Sequence, residues 1–240
     1  MERKYQVIVY GATGFTGKLC AKYLKDNYSD LSWAIGGRNL SKLEKIKKDL
    51  NLDCDIQVAD GENYEELCNL VKQTKVLMTT AGPYAKYGSL LMKACIFEKT
   101  HYTDITGENH WVKSQMDLYQ EEASSKGVRV IPSCGYDSLP SDIGTFFSIK
   151  QLNKPIKKVE VFHSAAGGAS GGTIESIFSM GKLPKEMRDP FVLNPKDTVS
   201  DIQRKESQDS LSIRWIKEAK KWSGIGLFSV ANTRVVRRSA

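Results

Sequence analysis

Three glycines spaced by three stand in the run Gly11-Ala12-Thr13-Gly14-Phe15-Thr16-Gly17. A short β-branched stretch, Tyr5 to Tyr10, precedes them, and Lys18 to Leu24 follows with helical periodicity. Strand, glycine turn and helix in that order present unpaired N–H groups and a positive dipole end to an anion. In such a turn Gly11 permits the tight bend, Gly14 lets backbone approach a diphosphate, and Gly17 lets the helix pack close to the strand. The chemistry this spacing supports is capture of a dinucleotide pyrophosphate, with Thr13, Phe15 and Thr16 among the residues around it. The plain alternative is an ordinary strand-to-helix turn.

A second group of residues bears on which dinucleotide. Trp33-Ala34-Ile35-Gly36-Gly37-Arg38 reads as a strand running into a bend. An acid just past that strand binds the free ribose hydroxyls of NAD, whereas an arginine pairs with the 2′-phosphate of NADP. Arg38 stands there, with Asn39, Ser41 and Lys42 as further donors, and its guanidinium can hold a phosphate in two bonds. The reading preferred is NADP; the other is a solvent-exposed arginine after a turn. Asp60, at the end of a third strand, either reaches the adenine or caps the next helix. Ala81, Gly82 and Pro83 close the apolar run from Lys75 and are expected to border the nicotinamide half.

Hydride chemistry also needs a proton source. No tyrosine is followed by Lys four residues later, so the Tyr-x-x-x-Lys pair of short-chain dehydrogenases is absent. Tyr84, Tyr136 and Asp137, with Asp104 and Glu108, fall at carboxyl ends of strands and could donate a proton or position substrate. The plainer reading of each, taken singly, is a loop hydrogen-bonder. Cys134 is a thiol close by.

Positioning these residues takes an alternating scaffold. Strands are expected at Tyr5–Tyr10, Trp33–Ile35, Asp55–Asp60, from Lys75, at His101–Gly107 and at Val128–Pro132. Helices lie between them: one opened by a Ser41–Glu44 capping box, then Tyr64–Gln73, Ser89–Glu98 and Trp111–Ser125. Six alternations predict an α/β Rossmann domain, a doubly wound parallel sheet, over 1–140. A partial α+β substrate or dimerisation domain is expected over 141–240. It would hold a helix at Ile143–Ile149, a strand at Val159–Ser164 and a glycine loop Gly167–Gly172 opening a helix at Thr173–Met180. A surface excursion over Leu183–Ser212, a helix near Ile213–Lys221 and a strand near Leu227–Val236 would complete it. Arg234 to Arg238 reads as the charged end of that strand. The absence of a terminal capping element predicts a second domain cut short.

Composition narrows the class. Of 240 residues 26% are charged and 9% aromatic, which is a globular balance. The net charge of +7 suits an anionic ligand, and no basic stripe with stacked aromatics points to nucleic acid. Five scattered cysteines without a C-x-x-C pair argue for reduced thiols in a cell. His101, His110 and His163 are isolated, and no metal-ligand spacing occurs. The first strand starts too soon after Met1 for a targeting peptide, and no run reaches the roughly 18 apolar residues that span a bilayer.

The chain resembles the saccharopine dehydrogenase-like oxidoreductases, the group that includes trans-acting enoyl reductases. The resemblance rests on the Gly11–Gly17 run, Gly37-Arg38, Ala81-Gly82-Pro83-Tyr84, Asp104-Ile105-Thr106-Gly107-Glu108 and Gly135 to Asp142. Gly171-Gly172-Thr173 and Asn232 to Ser239 also fit. It implies an NADP-type Rossmann domain followed by an α+β domain that covers the nicotinamide, and family members that run well past residue 240. It further implies hydride transfer to an imine or to an enoyl, lipid-linked substrate. The expected setting is cytoplasmic, with lipid-droplet, mitochondrial or peripheral membrane association and a homodimer also open. The rival reading is an NADP(H)-binding sensor or scaffold without turnover.

Overall fold

The computed structural model describes residues 2–152, 154–164, 188–195, 197–210, 212–224 and 228–240. They fall into two compact units: residues 1–106 with 114–134, and 107–113 with 135–240.

The first unit is a six-stranded sheet, all parallel. Its strands are β1 (Tyr5–Tyr10), β2 (Trp33–Gly37), β3 (Asp55–Val58), β4 (Thr74–Thr79), β5 (His101–Asp104) and β6 (Val130–Ile131), ordered β3-β2-β1-β4-β5-β6. Between them run α1 (Phe15–Asn27), α2 (Leu40–Asp49), α3 (Tyr64–Val71), α4 (Tyr84–Phe97) and α5 (Asn109–Ser125), whose first residues belong to the second unit. Residues covered on both faces explain the unbroken apolar strands. In β1, Ile8 and Val9 are fully buried and point to opposite faces. Val9 joins Ala21, Trp33, Ile35, Leu43 and Ile46 in the core beneath α1 and α2.

Strand order reverses between β1 and β4, so a crevice opens at their carboxyl ends. At the opposite end, the Arg3 guanidinium donates to the carbonyls of Val71 and Lys72 at the close of α3 and of Glu98 and Lys99 at the close of α4. A cation there satisfies carbonyls that helix geometry leaves free.

Several boundaries differ from the sequence expectation. The residue that caps α2 is Asn39, whose Oδ1 accepts from Lys42 N at 2.9 Å, so Ser41 sits inside the helix. Asn63 caps α3, accepting from Glu65 N and Glu66 N. Helix α4 starts at Tyr84, five residues before Ser89, because Pro83 ends the strand loop there.

The second unit contains α6 (Leu139–Leu152), α7 (Asp201–Glu206), an antiparallel hairpin of β7 (Arg214–Ile216) and β8 (Lys221–Ser223), and α8 (Ser229–Ser239). Helix α6 begins four residues before Ile143. Among the described residues, 159–164 form no strand, and the glycine loop with the helix expected at Thr173–Met180 lies outside them. The expected surface excursion holds buried Phe191, Val192 and Leu193 and the capping-box helix α7.

Two secondary-structure types are reversed. Ile213–Lys221 is a hairpin rather than a helix: Trp215 pairs with Trp222 across the strands, Ile216 is buried, and Lys220 turns the chain at φ 50. Ser229–Ser239 is a helix rather than a strand. Its β-branched residues favour a strand, but three- and four-residue spacing buries Ala231 and Arg234 together, and that packing overrides propensity. Arg234 and Arg237 both bond Asp209, at 2.6 and 2.9 Å, so these two arginines of the basic cluster form a largely buried ion network.

Candidate nucleotide-binding and active site

The glycine turn is built as close contact requires. Gly11 leaves β1 at φ +84, and a Cβ on it would lie 2.9 Å from Ala81 N. Its N–H donates to Gly36 O at 2.9 Å, and Gly14 N–H donates back to Gly11 O at 3.0 Å. A Cβ on Gly17 would stand 2.3 Å from Gly11 O and 2.8 Å from Ala12 Cα, so α1 lies this near the strand exit because the position has no side chain. Gly14 differs. Its nearest neighbour would be Gly11 O at 3.4 Å, an ordinary contact, so packing within the chain does not demand glycine there. No side chain caps α1, and its first turn holds no acidic residue. Its leading amides are thus left for an anion.

Beside this turn, Arg38 is exposed just past the end of β2, where Asn39 caps the next helix. Tyr10 links the ends of β1 and β3, its hydroxyl donating to Ala59 O at 3.0 Å. Burial first, then the Asp60 carboxylate, push that hydroxyl up to about 12, and the Arg38 guanidinium opposes them. The charges of Arg38 and Asp60 are therefore both felt at the Tyr10 hydroxyl. Asp60 does not cap α3: its Oδ1 accepts from Glu62 N at 3.1 Å, and its own N–H donates to Glu66.

On the other side, Thr80 Oγ1 donates to Gly11 O at 3.2 Å, and Ala81 N donates to Thr79 Oγ1 at 3.2 Å. The Gly82–Pro83 bond is cis. Tyr84 is buried, with its hydroxyl donating to Thr79 O at 3.2 Å and accepting from Ile105 N at 3.4 Å, which ties the exits of β4 and β5 together. Asp104 is buried as well. One carboxylate oxygen accepts from Thr106 N and Ser133 N, each at 2.9 Å, and the other from the Tyr102 hydroxyl at 2.9 Å. That carboxylate is an anchor for the exits of β5 and β6. Burial pushes the Cys134 thiol up, away from the thiolate a nucleophile requires.

The remaining acid candidates lie in the second unit. Glu108 is 1% exposed. A Cβ on Gly107 would fall 3.1 Å from Asp137 Oδ2, and burial raises the Asp137 carboxyl above its usual range. Tyr136 is exposed, its ring edge-on to His163 with centroids 6.1 Å apart. His163 Nε2 is 2.9 Å from Ser141 Oγ, which also accepts from Asn232 Nδ2 at 3.3 Å, linking α6 to α8. Helix α6 and residues 159–162 enclose about 300 Å³, with Ser141, Thr145 and Ser148 facing Val159, Val161 and Phe162. Thr145 Oγ1 is buried there with no hydrogen-bond partner among the described residues. No metal-holding group of His, Cys, Asp and Glu occurs among the described residues.

Residues 7–131, just over half of the chain, match the family model of the saccharopine dehydrogenase NADP binding domain. The chain belongs to the saccharopine dehydrogenase family. Among relatives of this family member is a trans-acting enoyl reductase of Mycobacterium bovis, 36% identical, the match covering 99% of this chain and 62% of that protein. A lipid droplet localized protein of Caenorhabditis elegans is 29% identical over 85% of this chain and 54% of its own length. This chain thus spans about three fifths of the length of its mycobacterial relatives. Yeast saccharopine dehydrogenase (L-Glu forming) superposes with a TM-score of 0.51 at 15% identity, over 62% of this chain and 31% of that one, and shares the fold.

The sheet of this family member brings Gly11 to Gly17, Arg38, Asn39, Asp60 and Ala81 to Pro83 to the carboxyl ends of β1 to β4. Tyr84 joins them; Tyr136 and Asp137 stand in the other unit. Sequence reasoning did not find the Ser141–His163–Asn232 link, whose members are 22 and 91 residues apart. It treated His163 as isolated, and no local spacing signals such a contact.

Proposed function

We propose that the first unit holds NADP(H) and that the whole protein is a reductase of an enoyl or imine group. The observation that supports this most is the uncapped end of α1, set over Gly11 with Arg38 at the neighbouring strand exit. These residues fit the coenzyme. Thr13 to Gly17 would hold the diphosphate, Arg38 with Asn39 the 2′-phosphate, Asp60 the adenosine side, and Ala81, Gly82 and Pro83 the nicotinamide side. Bound there, the reduced coenzyme supplies a hydride.

The chain's own residues then have separate tasks. Asp137, whose carboxyl burial raises above its usual range, would be the group to provide the proton that the substrate needs beside the reduced carbon, with water restoring it. Tyr136 offers an exposed ring and hydroxyl for positioning substrate. Tyr84 fixes the loop carrying Ala81 to Pro83 through its hydroxyl, which bonds Thr79 O and Ile105 N. The hydroxyl-lined and apolar walls between α6 and residues 159–162 suit an acyl chain bearing a carbonyl, which favours the lipid-linked enoyl substrate. The enoyl reductase name of the mycobacterial relatives supports the same choice.

Calorimetry with NADPH and NADH tests the coenzyme reading. Arg38→Ala is expected to weaken NADPH binding by about tenfold to a hundredfold, as loss of a charge-assisted phosphate contact does, and to leave NADH untouched. Equal binding of the two coenzymes by the unmodified protein would overturn it. The acid is tested by the pH dependence of NADPH oxidation with an enoyl thioester. Because burial raises the Asp137 carboxyl, the rate should be level at low pH and decline as pH rises through that raised value. Asp137→Asn should lower the rate and remove the decline while leaving coenzyme affinity unchanged. Binding of NADPH without oxidation across enoyl and imine substrates would instead support a sensor or scaffold. The bonded hydroxyl of Tyr84 and the absence of a Tyr-x-x-x-Lys pair favour that second reading.

A further inference from the structure

The β7–β8 hairpin has two unlike faces. Pairing of Arg214 with Ser223, Trp215 with Trp222 and Ile216 with Lys221 sets alternate side chains on opposite sides. Ile216 is buried, and Arg214 pairs with Glu160, so that side is fixed to the second unit. On the other side Trp215 is 51% and Trp222 71% exposed, and Ile213, two residues before Trp215, is 73% exposed. Around the turn Lys217, Lys220 and Lys221 are exposed, with Glu218 as the one acid among them.

We propose that this hairpin is a membrane-docking edge: Ile213, Trp215 and Trp222 enter the headgroup boundary of an anionic lipid bilayer while Lys217 and Lys220, at the turn, meet its phosphates. Tryptophan suits that boundary because its ring is apolar and its indole N–H needs a polar partner. The lysines supply attraction to anionic headgroups, as basic residues beside inserted apolar ones do. The same lysines would repel a second copy of the hairpin. Nucleic acid fits less well. The two indoles stand edge to face, centroids 5.7 Å apart at 67°, and leave no parallel gap for a base. Among the described residues no helix is long and apolar enough to cross a membrane, so the contact proposed is at the surface.

Vesicle co-sedimentation of the 240-residue chain tests this, using phosphatidylcholine alone and phosphatidylcholine mixed with phosphatidylserine. Trp33 and Trp111 are buried, so a blue shift of tryptophan emission on adding vesicles reports on Trp215 and Trp222. Expected are a blue shift and binding that needs phosphatidylserine. Trp215→Ala with Trp222→Ala should weaken binding about tenfold or more, with circular dichroism unchanged. Lys217→Glu with Lys220→Glu, which keeps both tryptophans, should abolish the preference for phosphatidylserine. The proposal fails if mixed vesicles do not bind, or if either double variant binds them as the unmodified chain does. It fails equally if a single-stranded RNA displaces the vesicles, or if the tryptophans prove to hold two copies of the chain together.

Discussion

Gly17→Ala is expected to lose on the order of 3 kcal/mol of stability and, with it, coenzyme binding. The added methyl would stand 2.3 Å from Gly11 O, and backbone on both sides must move to admit it. Either α1 lifts from β1 or the turn at Gly11 opens, and both displace the amides proposed to hold the ligand. Gly14→Ala provides the contrast. Its methyl meets Gly11 O at 3.4 Å, so the fold should keep nearly all its stability. Its coenzyme affinity should nonetheless fall, because the methyl would occupy the approach proposed for the diphosphate. Melting curves and calorimetry on both variants separate the roles: Gly17 serves the helix, Gly14 the ligand. Equal melting temperatures for the two would contradict the geometry.

The second unit should be as sensitive at Asp209. Asp209→Ala leaves Arg234, 4% exposed, without its carboxylate, and uncompensated buried charges cost roughly 3–5 kcal/mol. The loss should appear as early unfolding of the hairpin and α8 in hydrogen exchange. Burial alone pushes the Asp209 carboxyl up, but the guanidiniums of Arg234 and Arg237 outweigh it and hold the group below its ordinary value. A carboxyl depressed in the folded state contributes stability above its unfolded pKa, about 4, and that contribution is lost as pH falls through the folded value. Acid should therefore destabilise the unmodified chain below about pH 4, and that slope should be shallower in Asp209→Ala. Asp209→Asn keeps the shape and should fall between the two.

These two positions also mark how far sequence could be read. Around Gly17 every signal is local: an apolar run, three glycines at fixed spacing and a helical repeat within about two dozen residues. The central strands β1, β2 and β4 were legible for the same reason, since parallel strands covered on both faces leave nearly continuous apolar runs. Around Asp209 nothing is local. Its partners lie 25 and 28 residues ahead, and without them Val230, Thr233, Val235 and Val236 read as a strand. The hairpin failed likewise: Lys217-Glu218-Ala219-Lys220 is helix-forming composition, overruled by Trp215 meeting Trp222. In the candidate site, Arg38 and the glycines could be found from type and position. The bonding of Tyr84 and Asp104 could not, because Ile105, Thr106 and Ser133 come to them only once β4, β5 and β6 are side by side.

The Arg3 clamp carries a consequence for how the chain assembles during translation. Its carbonyl partners leave the ribosome 68 to 96 residues after it does. β1, which follows Arg3 directly, occupies the middle of the sheet, so later strands are laid down on either flank of an early one. Residues 3 and 99 are thus fastened together, and a nascent half-sheet that has not yet reached Lys99 has its seam open.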